Sequence, residues 1–119
     1  MLPKANRLRQ KKDFKRVYQR GKSLSMPYFV LYWHKSYQSE ARIGFSISKK
    51  IGKAVARNRL KRQCRAIIKD HLANFAPKYD YILVLRQAAA KSDYNALSGQ
   101  LVQAMQRQAK ISQSKPEKK

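Results

Sequence analysis

KKIGKAVARNRLKRQCRAIIK, residues 49–69, decides the fold class, because it reads as one amphipathic helix entered through a turn at Ile51 and Gly52. Turning 100° per residue from Leu60 gathers Cys64, Ile67, Leu72 and Phe75 on one side, with Ile68 at its margin. Asn58, Arg62, Arg65 and Lys69 fall opposite, flanked by Lys61. One face is built to dock on a sheet and the other to meet solvent or negative charge. Almost no acid alternates with the cations, whereas a helix stabilised by its own charges would intersperse Glu at i, i+4. Crowded like charges cost stability until a polyanion arrives.

Working outward, the helix is expected over 54–75, ended by Pro77. Upstream, 28–34 is aromatic and β-branched and 42–48 alternates strictly, so both read as strands, with 35–41 as the hairpin loop between them. Residues 11–19 suggest a short helix stopped by Gly21, and the basic stretch 1–10 is expected to be extended. Downstream, 79–86 alternates Tyr81, Leu83 and Leu85 against Ile82 and Val84. A last helix over 94–108 places Leu97, Leu101, Ala104 and Met105 together. The class is α+β, a two-layer α/β sandwich in the order α-β-β-β-α-β-α. Residues 1–110 form one domain and 111–119 a basic, disordered tail.

The chain has 119 residues, enough for one domain, with 28 Lys and Arg against 6 Asp and Glu and a formal charge of +22. Such a field favours nucleic acid or an anionic surface. No apolar run approaches the roughly 20 residues of a spanning helix, so no membrane partner is expected. One cysteine, Cys64, on the apolar helix side, fits a reducing cytoplasm better than an oxidising compartment. The six acids form no general acid and base pair. His34 and His71 lack metal-ligand spacing to each other or to Cys64, so neither a catalytic nor a metal residue is assigned.

Two features suggest where a ligand could lie. On the 42–48 strand, Ile43, Phe45 and Ile47 would face the core, leaving a small, polar face of Gly44, Ser46 and Ser48; a plain solvent face explains it equally well. Phe14 and Tyr18 stand one helical turn apart beside Lys12, Lys15 and Arg16, and Tyr28, Tyr32 and Tyr81 lie on strands. Rings among cations suit single-stranded nucleic acid, where bases stack while the backbone follows charge. Phe14 alone fits a core as readily as a stacking platform.

With these residues laid out, the chain resembles the bacterial ribonuclease P protein component. The carrying motif is Arg57-Asn58-Arg59 within SKKIGKAVARNRLKRQCR, residues 48–65. NRLRQKKDF, FVLYW, RIGFSISKK and YDYILVLR accompany it in the family's order, from about residue 6 to 108. The resemblance implies a protein that binds ribonuclease P RNA, one protein per RNA subunit, in a cytoplasmic endoribonuclease that removes the 5′ leader of precursor tRNA. Catalysis would belong to the RNA, with Mg2+ bound there and none on the protein. It also implies that Lys49, Lys50, Lys53, Arg57, Asn58, Arg59, Lys61, Arg62 and Arg65 dock on the RNA subunit. Phe14, Tyr18 and Tyr32 would line a cleft for the leader. A left-handed crossover through the long helix is implied as well, where strand geometry alone favours the right hand.

Two departures stand out. Ala66 replaces an acid the family often carries after the motif, and Tyr18 stands where many relatives have phenylalanine. Composition also allows a ribosomal protein, a DNA-binding module using the basic helix, or a nuclease acting alone. Paired acids are missing for the last and a coiled-coil seam for the second.

Overall fold

The computed structural model describes residues 2–114. Its elements run α1 (Lys11–Arg20), β1 (Lys22–Ser25), β2 (Phe29–Lys35), β3 (Arg42–Ser46), α2 (Ala54–Asp70), β4 (Tyr79–Leu85) and α3 (Tyr94–Ser114), with 3-10 turns at Lys4–Asn6, Lys49–Ile51, Leu72–Asn74 and Gln87–Lys91. The four strands form one sheet ordered β1-β2-β4-β3. β1 with β2 and β2 with β4 are antiparallel, and β3 with β4 is parallel. The mixed α+β class and the element order follow the sequence reading; β1 had no bounds there.

The strand order corrects one expectation. β2 and β3 are not hairpin partners, because β4 inserts between them, and the segment after Lys35 is a connection between separated strands. The reason is burial. In β4 nearly every residue on both faces is buried, so it takes the centre, while β3, with a half-buried end, takes the edge.

Period two then divides the sheet into faces. Phe29, Leu31 and Trp33 of β2, Tyr81, Leu83 and Leu85 of β4, and Ile43 of β3 pack with Leu60, Cys64, Ile67 and Ile68 of α2 and Leu97, Leu101, Ala104 and Met105 of α3. This is the main core, and each fully buried aliphatic there contributes about 1.5–3 kcal/mol. Ile82 packs instead with Leu8 and Val17, edged by Phe14, Tyr32 and Val84. α1 therefore lies against the other face and covers only part of it.

Several boundaries differ from expectation. α2 stops at Asp70, well before Pro77; His71 closes it, the chain tightens into the Leu72–Asn74 turn, and Phe75 still reaches the core. Residues 1–10 are not simply extended: Asn6, in the first turn, is buried and its Nδ2 donates to the Ala41 carbonyl at 2.7 Å. Gly21 ends α1 in an extended conformation (φ −82°), not a left-handed cap. It is glycine because a Cβ there would stand 2.4 Å from the Trp33 carbonyl oxygen. α3 continues to Ser114, into the stretch expected to be disordered; residues 115–119 of that tail lie outside the described residues.

Candidate nucleic-acid interface

α2 carries its apolar stripe inward and its cations outward, as its periodicity requires. Lys49, Lys50, Lys53, Asn58, Arg62 and Arg65 are exposed, and Arg57, Arg59 and Lys61 are half-buried. Arg57 Nε donates to the Gly52 carbonyl at 3.2 Å and Arg59 Nη2 to the Ala90 carbonyl. Each of these two guanidiniums is thereby steadied through one N–H, with its other N–H groups left over. The N-terminus of α2 has no capping side chain and no acid in its first turn, so its free amide ends add to the positive field.

The acids are employed elsewhere. Asp93 caps α3, its Oδ1 accepting from the Ala96 N–H at 2.8 Å. Asp70 accepts from the Tyr94 hydroxyl, a bond that raises the Tyr94 pKa. Asp13 and Asp80 converge on Arg42. Nε and Nη2 of Arg42 reach the two Asp80 oxygens at 2.8 Å each, and Nη1 reaches Asp13 Oδ2 at 3.4 Å. Asp80 is 1% exposed, and its hydrogen bonds are the main cause of a raised Arg42 pKa. Asp13 also takes Arg16 at 3.1 Å. Among the described residues no cation of α2 is within ion-pair distance of an acid. Asp13 and Asp80 thus meet through Arg42 as a structural clamp between α1 and the sheet.

The aromatic residues assemble on the partly covered face. Tyr18 meets Tyr32 edge-on with ring centroids 5.0 Å apart, and Phe14 lies 6.3 Å from Tyr18. Tyr18 is 40% exposed; partial burial first, and Tyr32 second, raise its pKa and keep it a neutral phenol. Phe14 can sit this low because β3 offers Gly44 beneath it, where a Cβ would stand 2.6 Å from the ring. Gly44 is buried beneath Phe14 and Ser46 lines the open groove beside it. An open groove of ≈640 Å3 runs here between α1 and β3, lined by Arg9, Lys11, Lys15, Gln19 and Ser46 with Phe14, Tyr18 and Phe45. A second groove of ≈390 Å3 shares Arg9, Phe14 and Phe45 with it and extends to Arg65 of α2. The cleft and the charged helix are therefore linked.

Other aromatics drop out of this role. Tyr81 is wholly buried, edge-on to Phe75 at 5.0 Å, its hydroxyl accepting from the Ala76 N–H; burial pushes its pKa up to about 12. Tyr28 packs against the main core. Arg16 is drawn to Asp13, away from the rings, while Lys15 lines the groove. Cys64 is buried, its thiol pushed up to about 12 by desolvation, and is no nucleophile at neutral pH. Residues that sequence reasoning missed are Arg42, Asp13 and Asp80; Asp80, an acid inside the apolar run 79–85, was the available signal.

Fold and surfaces together define a class: a small, strongly cationic α+β domain with one charged helix whose cations meet no acid among the described residues, and an aromatic cleft beside it. The sequence model described as Ribonuclease P matches residues 2–109. The ribonuclease P protein component of Syntrophomonas wolfei is 35% identical over 107 residues, 90% of either chain, and that of Exiguobacterium sibiricum is 43% identical over 91 residues, 76% of this chain and 78% of its own. Among solved structures, the RNase P protein of Thermotoga maritima superposes with a TM-score of 0.77 at 30% identity, covering 85% of this chain and 96% of its own. The Staphylococcus aureus RNase P protein gives 0.78 at 33% identity, covering 91% and 98%. The chain belongs to the ribonuclease P protein family.

Proposed function

We propose that this chain is the protein subunit of a ribonucleoprotein endoribonuclease, in which it binds ribonuclease P RNA through α2 and the 5′ leader of precursor tRNA through the aromatic cleft. The observation that carries this reading is the pairing of a cationic helix, whose cations meet no acid among the described residues, with a separate, linked cleft of rings. Two surfaces of different chemistry suit two RNA elements. Arg57, Arg59 and Arg62 supply forked hydrogen bonds to phosphate, with Asn58 among them able to donate and accept. Lys49, Lys50 and Lys53 act as point charges near the helix N-terminus. Phe14, Tyr18 and Tyr32 offer faces and edges to unpaired bases, while Lys11 and Lys15 follow the backbone.

In this reading the protein raises precursor affinity and supports RNA folding, and the hydrolysis, with its Mg2+, belongs to the RNA subunit in the cytoplasm, one protein to each RNA. Reconstitution with a bacterial ribonuclease P RNA at low magnesium tests it. The chain should restore correct 5′ cleavage of a precursor tRNA, and affinity for the RNA subunit should fall by orders of magnitude over a modest rise in salt if ~6–10 phosphates are neutralised. No stimulation together with a flat salt response would refute it. Arg59→Ala with Arg62→Ala should weaken the RNA subunit specifically.

A further inference from the structure

The N-terminal segment straps the outer edge of β3. The Leu8 N–H donates to the Ile43 carbonyl at 3.2 Å, and Arg7 bridges to Ile43 in parallel. Two residues beyond Leu8, the Gln10 carbonyl accepts the N–H groups of Asp13 and Phe14 at 3.1 Å each and so opens α1. Arg9 stands at the corner between, its backbone fixed from both sides and its side chain exposed. It lines three hollows: the ring cleft, the ≈390 Å3 groove that reaches Arg65, and one of ≈350 Å3 beside Arg42. Asp13, the acid in the last of these, already has Oδ1 on Arg16 and Oδ2 on Arg42. Among the described residues Arg9 has neither an ion pair nor a side-chain hydrogen bond. A guanidinium placed this firmly and left unneutralised keeps its whole fork for a phosphate.

The ≈390 Å3 groove is more than an extension of charge. No acid lines it, and Leu8, Ile43, Phe45 and Ile68 give it apolar walls between Arg9 of the strap and Arg65 of α2. Its volume falls within the roughly 300–1,000 Å3 of small-ligand sites, and an apolar wall beside arginines suits a base with its phosphate. It shares Arg9, Phe14 and Phe45 with the ring cleft, so a strand can pass from one to the other without leaving the surface. Covalent connection supplies the direction. A leader is joined at its 3′ end to the tRNA, at the bond the RNA subunit cuts, and the RNA subunit sits on α2. Leader held by the rings must therefore travel toward α2 to reach that bond, and this groove leads there.

We propose that the groove between the strap and α2 carries the leader nucleotide that joins the ring-held segment to the cleavage site, with its base against the apolar walls and its phosphate on Arg9. This rests on the assignment of the cleft to the leader and of α2 to the RNA subunit. A phosphate contact carries no sequence information, so its position is fixed by distance from the cleavage site, whatever the leader sequence.

The test uses the reconstituted holoenzyme and precursor tRNAs in which single leader phosphates are replaced by neutral methylphosphonates. Several positions should weaken binding, and Arg9→Gln should remove the roughly tenfold sensitivity of one of them. The unmodified precursor should bind the Arg9 variant weaker by the same factor, with a log–log salt slope shallower by about 0.7 for one lost single-strand contact. The coupled phosphate should lie 3′ of the leader bases whose removal is coupled to Phe14→Ala with Tyr18→Ala. Mature tRNA and the RNA subunit should bind as before. Lys22→Gln, which removes the same charge from β1 at the opposite edge of the sheet, should leave the scan unchanged. Coupling of Arg9 to a phosphate 5′ of the ring-held bases, loss of RNA-subunit affinity, or an equal effect of Lys22→Gln would each overturn the proposal. If the ring variant couples to leader bases while Arg9→Gln couples to no phosphate, the groove assignment fails alone; if neither couples to any leader position, the cleft assignment fails with it.

Discussion

The two faces of the sheet are finished to different degrees. Against α2 and α3, odd positions of β2 and β4 are sealed into a continuous core; against α1, even positions are covered at Ile82 and left half-open at Tyr32 and Val84. The first face has no polar purpose beyond stability. The second keeps aromatic surface accessible, and a molecule this basic gains from concentrating its stability on one side so that the other can bind. The same division governs charge. Four of the acids serve α1, α3 and the sheet, and the cations of α2 are left without neutralisation.

The strongest way to break this comparison is to truncate one residue on each face. Leu60→Ala, at a fully buried position, should cost about 3–5 kcal/mol in denaturant unfolding. Phe14→Ala, at a half-buried one, should cost only about 1–2 kcal/mol by the same principle scaled to its burial. Equal losses would make Phe14 core and abolish the distinction. Arg42→Ala comes next, at about 3–4 kcal/mol, because it strands the buried Asp80 carboxylate and releases Asp13 of α1. Precursor affinity should fall with it, since the clamp holds α1 over the sheet; a stable variant with an intact cleft would show the clamp to be idle.

Binding sharpens the contrast further. Phe14→Ala with Tyr18→Ala should lower holoenzyme affinity for precursor by about 1–3 kcal/mol per base unstacked, measured against mature tRNA, which should be unaffected. Equal loss on both RNAs would return the rings to the core. The smallest effect is a pH response of the sealed face. A thiol whose folded pKa is about 12 against an ordinary value of 9.0 stays protonated in the fold while the unfolded chain releases its proton. Stability should therefore fall from about pH 9 upward toward 12, at about 1.4 kcal/mol per pH unit at most. Cys64→Ala should make the decline shallower from about pH 9 to 12, leaving above pH 10 the part that Tyr81 contributes. An unchanged slope would mean Cys64 is less buried than its packing indicates.

Local periodicity made α2 and its two faces legible, because Leu60, Cys64 and Ile67 repeat at helical spacing and the cations fill the remainder. It also made Tyr81, Leu83 and Leu85 a face of β4, though not which Tyr side chains remain exposed. Strand neighbours were not legible, since alternation in residues 42–48 says which side faces the core and nothing about who lies alongside. The clamp was hidden for a related reason: Arg42 meets Asp13 across 29 positions and Asp80 across 38. Of the candidate site, Phe14, Tyr18 and Tyr32 do come together, and the charged residues of α2 share a surface. The anchoring of Arg59 by the Ala90 carbonyl depends on a turn that no pattern announced.

The central place of β4 also orders events in time. β1 and β2 can form a hairpin as soon as they exist, whereas β3 has no strand to join until Tyr79–Leu85 slots between it and β2. Before that, α2 has lost entropy to no purpose, because its apolar stripe has no complete sheet to lie on, and the parallel pairing must close a long loop. Folding is therefore governed by the last third of the chain, and its rate should respond to substitutions in β4 more than to those in β1. A growing polypeptide exposes its most cationic segment while still unfolded, so any polyanion that engages that segment early acts on folding itself.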